Sequence, residues 1–192
     1  MIQIITDSTS DLSSAQAQQL VVQVLPLTVH FGEEAFRDGI DITNADFYAR
    51  LRGASTLPTT SQVNPDVFTQ IFQAALDKGD QVVGIFLSSE LSGTCQSAVI
   101  AQEMLDSKDV FVVNSRTVTF PLGLLVAVAA HLRDQGLDAA ALAAKLCQLR
   151  ERLRLYAVVD TLKYLKMGGR ISAATAAVGG MLGISPIITI QE

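Results

Sequence analysis

Hydroxyl and carboxylate side chains gather in two stretches of this sequence, each directly after a run with the pattern of a strand. Asp7-Ser8-Thr9-Ser10-Asp11 follows Ile2-Gln3-Ile4-Ile5-Thr6, which is rich in β-branched residues. Leu87-Ser88-Ser89-Glu90-Leu91-Ser92-Gly93-Thr94 follows a continuous apolar run and opens a helical stretch. A helix N-terminus presents unpaired N–H groups and partial positive charge, so it holds anions. Ser92 and Thr94 add hydroxyl donors there, and Gly93 lets a ligand approach the backbone. The stretch is not a phosphate-binding Walker loop, because GxxxxGK[ST] is absent. It is not a G-x-S-x-G nucleophile elbow either, because Glu90 stands two residues before Ser92. The chemistry these residues suit is the binding of a carboxylate or phosphate by hydroxyls rather than by cations. Thr59-Thr60-Ser61-Gln62 is a further polar loop that could donate to the same anion. Serine, threonine and aspartate are also what helix N-caps need, and that use remains open for each stretch.

Covalent and metal chemistry find less to build on. Neither His30 nor His131 has a nucleophile beside it in sequence, and HExxH does not occur. Triads assemble in space, however, so a hydrolase or acyltransferase using Ser92 as nucleophile stands as the alternative function. Cys95 and Cys147 form neither a disulfide framework nor a metal-ligand spacing, and each reads as a small apolar packing residue. No metal site and no cofactor is expected. Residues 145–170 gather Lys145, Arg150, Arg152, Arg154, Lys163, Lys166 and Arg170 against only Glu151 and Asp160. This reads either as a solvated helix face or as a docking surface for an acidic or phosphorylated partner.

The elements that must position these loops alternate. Strands are expected at 2–6, 21–29, 82–87, 110–113 and 155–159. Pro26 pushes the second of these toward an edge or a bend. Helices are expected from near Ser13, over 41–52 with Thr43 or Asn44 as N-cap, from Asn64-Pro65, over 92–105 and 117–133, and after Asp138. The helix after Pro65 repeats Val67, Phe68, Ile71, Phe72, Ala75 and Leu76 at helical spacing, and Leu142, Leu146, Leu149 and Leu153 form one stripe. Residues 57–62 read as a loop. The runs 82–87 and 110–113, with a helix between them, form a βαβ unit, which predicts a parallel sheet with a right-handed crossover. In such a sheet ligands bind beyond the strands' C-terminal ends, where both polar stretches fall. The fold class is therefore α/β, with an N-terminal domain over 1–158. A second, incomplete α/β domain over 159–192 is Gly/Ala-rich from 167 to 183, with Gly179-Gly180 marking tight helix packing, and ends on the strand-like run 185–190.

Composition sets the class. The chain has 192 residues, 49% hydrophobic and 17% charged, with 13 glycines and 5 prolines, which excludes disordered, collagen-like and low-complexity chains. The net charge of −5 argues against a general nucleic-acid binder. The apolar run 120–130 is too short for a membrane span. With no secretory signal pattern at the start and no disulfide framework, a cytoplasmic location is expected.

Taken in order, Thr6-Asp7-Ser8-Thr9-Ser10-Asp11-Leu12, Thr60-Ser61-Gln62, Ser88-Ser89-Glu90-Leu91-Ser92-Gly93-Thr94, Leu162-Lys163-Tyr164-Leu165 and Gly168-Gly169-Arg170-Ile171-Ser172 resemble the motifs of the DegV family. The resemblance implies a bacterial fatty-acid-binding protein, not an enzyme. One long acyl chain such as palmitate, stearate or oleate would lie in a tunnel between two α/β domains. The carboxylate would be held by Thr60 and Ser92, with Ser61, Gly93 and Thr94 nearby. Arg170 and Ser8 would lie near the head group or a partner-facing surface. Some members hand the fatty acid to a separate fatty acid kinase, which phosphorylates the carboxylate. Family members usually run on beyond the point matching Ile190. The last strand is therefore expected to lack part of its sheet, which invites self-association.

Overall fold

The computed structural model describes residues 1–172 and 185–190. The Gly179-Gly180 pair lies outside them. The chain divides into two compact units, Met1–Leu153 and Arg154–Glu192.

The first unit is built on a four-stranded parallel sheet of order β2-β1-β6-β7. Its strands are β1 (Ile2–Asp7), β2 (Val22–Leu25), β6 (Gln81–Phe86) and β7 (Val110–Asn114). Helices cover both faces, and this is why β6 is a continuous apolar run. Its residues Val83 and Ile85 pack with Ile4 beneath α5 (Phe120–Asp134) and α6 (Ala139–Arg150). Val82 and Phe86 pack with Ile5, Phe68 and Phe72 beneath α3 (Pro65–Leu76) and α4 (Thr94–Leu105). The two-residue alternation of a strand sorts neighbours into opposite cores. Gly84 sits where a Cβ would strike the Phe86 ring, so glycine is what lets that ring lie along the strand. Leu142 and Leu146 are fully buried, Leu149 and Leu153 pack at the margin, and Cys95 and Cys147 join the apolar layers as expected.

The run 21–29 is not one strand. It breaks at Pro26-Leu27 into β2 and β3 (Thr28–Phe31), which lie in different sheets. Leu27 turns the chain: its N–H donates to the Ser8 hydroxyl at 3.2 Å, and its carbonyl accepts from Asp38 N–H at 2.9 Å. β3 then centres a three-stranded antiparallel sheet, β4-β3-β5, with β4 (Glu34–Arg37) and β5 (Thr59–Ser61). Two of these strands escape the sequence reading. β4 follows a two-residue hairpin loop whose first residue, Gly32, has φ +63°, the position where such a turn needs glycine. β5 is wholly exposed and carries no apolar signal. Between β4 and β5 lies α2 (Asn44–Gly53), just after Asp41, whose carboxyl is held down at about 2 by hydrogen bonding to Arg37.

α2 contains no buried residue. Its apolar contacts are a small aromatic cluster in which Phe31 meets Phe36 and Phe47 edge-on and Phe47 meets Tyr48. The helix therefore depends on its capping box, in which the side chains of Thr43 and Asp46 bond to each other's backbone N–H groups. Thr43→Ala is expected to cost α2 about 0.5–2 kcal/mol. Hydrogen exchange across 44–53 should accelerate accordingly, while the global melting temperature barely moves, because α2 contributes nothing to either core.

In the second unit β8 (Tyr156–Val158) pairs antiparallel with β9 (Ile187–Thr189), and α7 (Lys163–Met167) lies between them in sequence. The run 155–159 thus does not extend the parallel sheet. It supplies the partner of the last strand, and it falls in the second of the two units, Arg154–Glu192.

Candidate functional site

The polar stretches meet at the C-terminal ends of β1 and β6. β1 ends in Asp7, which is fully buried. One Asp7 carboxylate oxygen accepts from the Thr9 N–H at 2.9 Å and the Thr9 hydroxyl at 2.5 Å. The other accepts from the Leu87 N–H at 2.9 Å. Burial nevertheless pushes the Asp7 carboxyl above its ordinary value, the desolvation cost outweighing the three donors. Asp7 is thus a strut: it ties the turn after β1 to Leu87, the residue just before the Ser88–Thr94 stretch. Ser8 lies beside it, with its hydroxyl occupied as acceptor for Leu27 N–H.

Beyond Leu87 the chain makes a turn held by its own hydroxyls. Ser88 Oγ accepts from Glu90 N–H at 3.2 Å. Ser89 Oγ accepts from Asn114 at the end of β7, at 2.8 Å. Ser92 Oγ accepts from Thr94 N–H at 3.2 Å and lies 3.0 Å from the Thr94 hydroxyl. α4 starts here with Gly93 as its N-cap, which has no side chain to bond the helix end, and only Ser92 Oγ just before it takes the N–H of the first helical residue. The arrangement leaves a half-buried Ser92 and Gly93 at the positive end of a 12-residue helix.

The Thr59–Ser61 strand comes to this helix through its next residue. Gln62 Nε2 donates to the buried Ser97 hydroxyl at 2.8 Å. The Gln62 carboxamide also lies over Gly93, where a Cβ would overlap it. The two hydroxyl-bearing segments are therefore neighbours. The register separates Thr60 from Ser61, however. Thr60 lies opposite Val29, and Ser61 lies opposite Thr28 with its hydroxyl 2.7 Å from His30 Nε2. Adjacent residues of a strand point to opposite faces, so these two do not converge on one ligand atom.

The remaining candidates separate as well. His131 Nε2 lies 3.0 Å from the Gln135 side chain and His30 Nε2 lies 2.7 Å from the Ser61 hydroxyl, and neither of these bonds involves Ser92. Part of the basic stretch is structural: Arg150 donates to the Asn114 carbonyl at 2.6 Å, and Glu151 bonds Arg116 at 2.9 Å and Arg150 at 3.3 Å. Arg170 belongs to the second unit, where it bonds the Gly168 carbonyl. A cavity of about 420 Å³ opens where the parallel strands begin, lined by Ile2, Gly79, Asp80 and Asp109 among others. That is the wrong end of the sheet for the ligand site. Among the described residues no cluster of His, Cys, Asp or Glu could hold a metal ion, and no helix is long and apolar enough to cross a membrane.

Sequence reasoning missed Ser97, which sits inside a helix with no motif around it, and it gave Gln62 no role beyond its motif. It also missed the strain at Thr119, a β-branched residue at φ +58° whose N–H donates to Thr9 O at 2.8 Å.

A family model described as an uncharacterised protein of the DegV family matches residues 1–192. A DegV domain-containing protein of Caldanaerobacter subterraneus is 37% identical over 191 residues, covering 100% of this chain and 68% of the relative. One of Halalkalibacterium halodurans is 38% identical over 192 residues, with the same coverage. Among solved structures, a fatty-acid-binding DegV family protein from Thermus thermophilus superposes with a TM-score of 0.88 at 36% identity, covering 99% of this chain and 68% of that one. A stearic-acid-binding protein from Eubacterium ventriosum gives 0.87 at 31% identity, covering 100% and 68%.

Proposed function

Since the chain belongs to the DegV family, we propose that it binds one long-chain fatty acid and carries it to a separate fatty acid kinase. The carboxylate is held at the N-terminus of α4 by the Ser92 and Thr60 hydroxyls, with Gly93 and Thr94 completing the turn. Ser61 stands behind them on the far face of its strand, and Arg170 and Ser8 are assigned to partner or head-group contacts. The observation that carries this reading is the seating of Gln62 on Gly93 and Ser97, which joins the two hydroxyl-bearing segments. Solved relatives described as binding fatty acid and stearic acid support the choice of ligand.

The physics suits such a ligand. A carboxylate gains from charge-assisted hydrogen bonds and from the helix end. The acyl chain gains about 0.8 kcal/mol per buried CH₂, less the cost of ordering it. The protein's own role is to bind and present the carboxylate, while phosphorylation belongs to the kinase. Native mass spectrometry of freshly purified protein, followed by lipid extraction, should find a stoichiometric adduct of fatty-acid mass. If no adduct is present, and none forms with palmitate or oleate, this chain is not a carrier.

A further inference from the structure

We propose that Gln62 is a positioning residue: its side chain, seated over Gly93 and bonded to Ser97, holds the Thr60 strand against the N-terminus of α4 and sets the spacing of the two carboxylate-binding segments. The inference rests on the fatty-acid reading for its ligand, but its geometric half is independent of any ligand.

The segment that carries Thr60 needs such a tie. Among the described residues, neither apolar core contains any residue between Thr28 and Gln62. β5 is exposed throughout, and α2 buries nothing. The segment is anchored by its roots, Leu27 on one side and Val63 on the other, both buried. Within it Val29 and Ile42 are buried, but both lie outside the two cores, so rocking of the segment about its roots reaches Thr60, and an ångström of error is enough to spoil a hydrogen bond. The Gln62–Ser97 bond removes that freedom at the residue next but one to Thr60. It spans 35 residues of chain and joins an exposed side chain to a hydroxyl on α4 that is only 1% accessible. Gly93 is the matching half of the device. At the N-cap a serine or aspartate would serve the helix better, yet any Cβ there would evict the Gln62 carboxamide. Glycine at this position keeps the helix end open to a ligand and leaves Gln62 its seat.

The test compares the wild type, Gln62→Ala, Gly93→Ala and the double variant. The first readout is the dissociation rate of cis-parinaric acid, a fluorescent long-chain fatty acid. Gln62→Ala should speed release about three- to tenfold, the range for one lost hydrogen bond. Gly93→Ala should do at least as much. In the Gln62→Ala background, Gly93→Ala should add less than about twofold, because coupled residues are not additive. A purely local cap effect of Gly93 would instead add in full. Release from Gln62→Ala at the wild-type rate, or additive effects, would overturn the proposal.

The second readout needs no lipid. Cys95 is buried in the same apolar layer as Val63, while Cys147 lies on α6 at the margin of the other layer. Thiol labelling of Cys95, taken relative to Cys147, should accelerate in both single variants and no further in the double. If the wild type binds no parinaric acid but this labelling pattern holds, the fatty-acid reading fails and the positioning role stands. If labelling of Cys95 is unchanged, the positioning role fails whatever the lipid does.

Discussion

Ser92→Leu is expected to emerge from purification without fatty acid. The Ser92 hydroxyl stands at the N-terminal end of α4, accepting from Thr94 N–H and lying 3.0 Å from the Thr94 hydroxyl; with Thr94 as donor of that pair, the Ser92 proton is available to a carboxylate. A hydrogen bond to a charged group contributes about 1.5–3 kcal/mol, or roughly 10- to 150-fold in affinity. The leucine side chain removes that bond and also puts apolar bulk where the carboxylate is to sit, so the combined loss should exceed about 100-fold. Ser92→Ala removes the hydroxyl alone and should weaken binding by the smaller factor. Native mass spectrometry reads both, and circular dichroism confirms that the variants are folded. Full retention of lipid by Ser92→Leu would show that the carboxylate is held elsewhere. If instead the wild type released product from an activated ester in a burst that Ser92→Ala lost, the serine-enzyme alternative would replace the carrier.

Asp7→Ala should lose about 3–5 kcal/mol of stability. It leaves the buried Leu87 N–H and the half-buried Thr9 N–H and hydroxyl without their acceptor, and each such group costs up to about 1–3 kcal/mol before the structure relaxes. Asp7→Asn separates charge from shape. Because burial raises the carboxyl above its ordinary value of 3.8, the folded state binds the Asp7 proton more tightly than the unfolded state does. Its contribution to stability is therefore greatest below 3.8 and is lost as pH rises through the raised native value. The carboxyls of Asp41, Asp46 and Asp80, all lowered, work in the opposite sense: their contribution is present above the ordinary carboxylate range and fades as pH falls below it. Urea unfolding of wild type and Asp7→Asn, compared from about pH 3.5 to 7.5, isolates the Asp7 term as the difference of the two curves. Equal pH dependence would mean that Asp7 ionises as it does in the unfolded chain. Since Asp7 holds Leu87, its loss should also loosen the Ser88–Thr94 turn and weaken fatty-acid binding.

Much of this architecture was legible in local patterns. The β-branched run before Asp7, the two-sided apolar run of β6, the Asn64-Pro65 helix start and the leucine stripe of α6 each announce an element, because the forces that form them act between residues two to four apart. The five motifs that resemble the DegV family were likewise plain in order and spacing. Local pattern failed where pairing partners were distant or exposure was complete. The wholly polar β5 looked like a loop because it is a strand only by virtue of β3. The run 21–29 looked like one strand because hydropathy does not show that Pro26 sends its halves into different sheets. The run 155–159 seemed to continue the alternating set until β9 claimed it.

The sequence alone therefore determined the α/β class, the strand-end placement of the two main polar stretches and the identity of the hydroxyls at the end of α4. Tertiary structure decided what those side chains face. It turned Ser61 away to His30 across 31 residues, seated Gln62 on α4 across 35, and made Asp7 a strut to Leu87 across 80. Contacts of that span leave no periodic trace in a sequence. They exist only once the sheet has closed, when burial forces each polar atom to find whichever partner the packed layers have brought within reach.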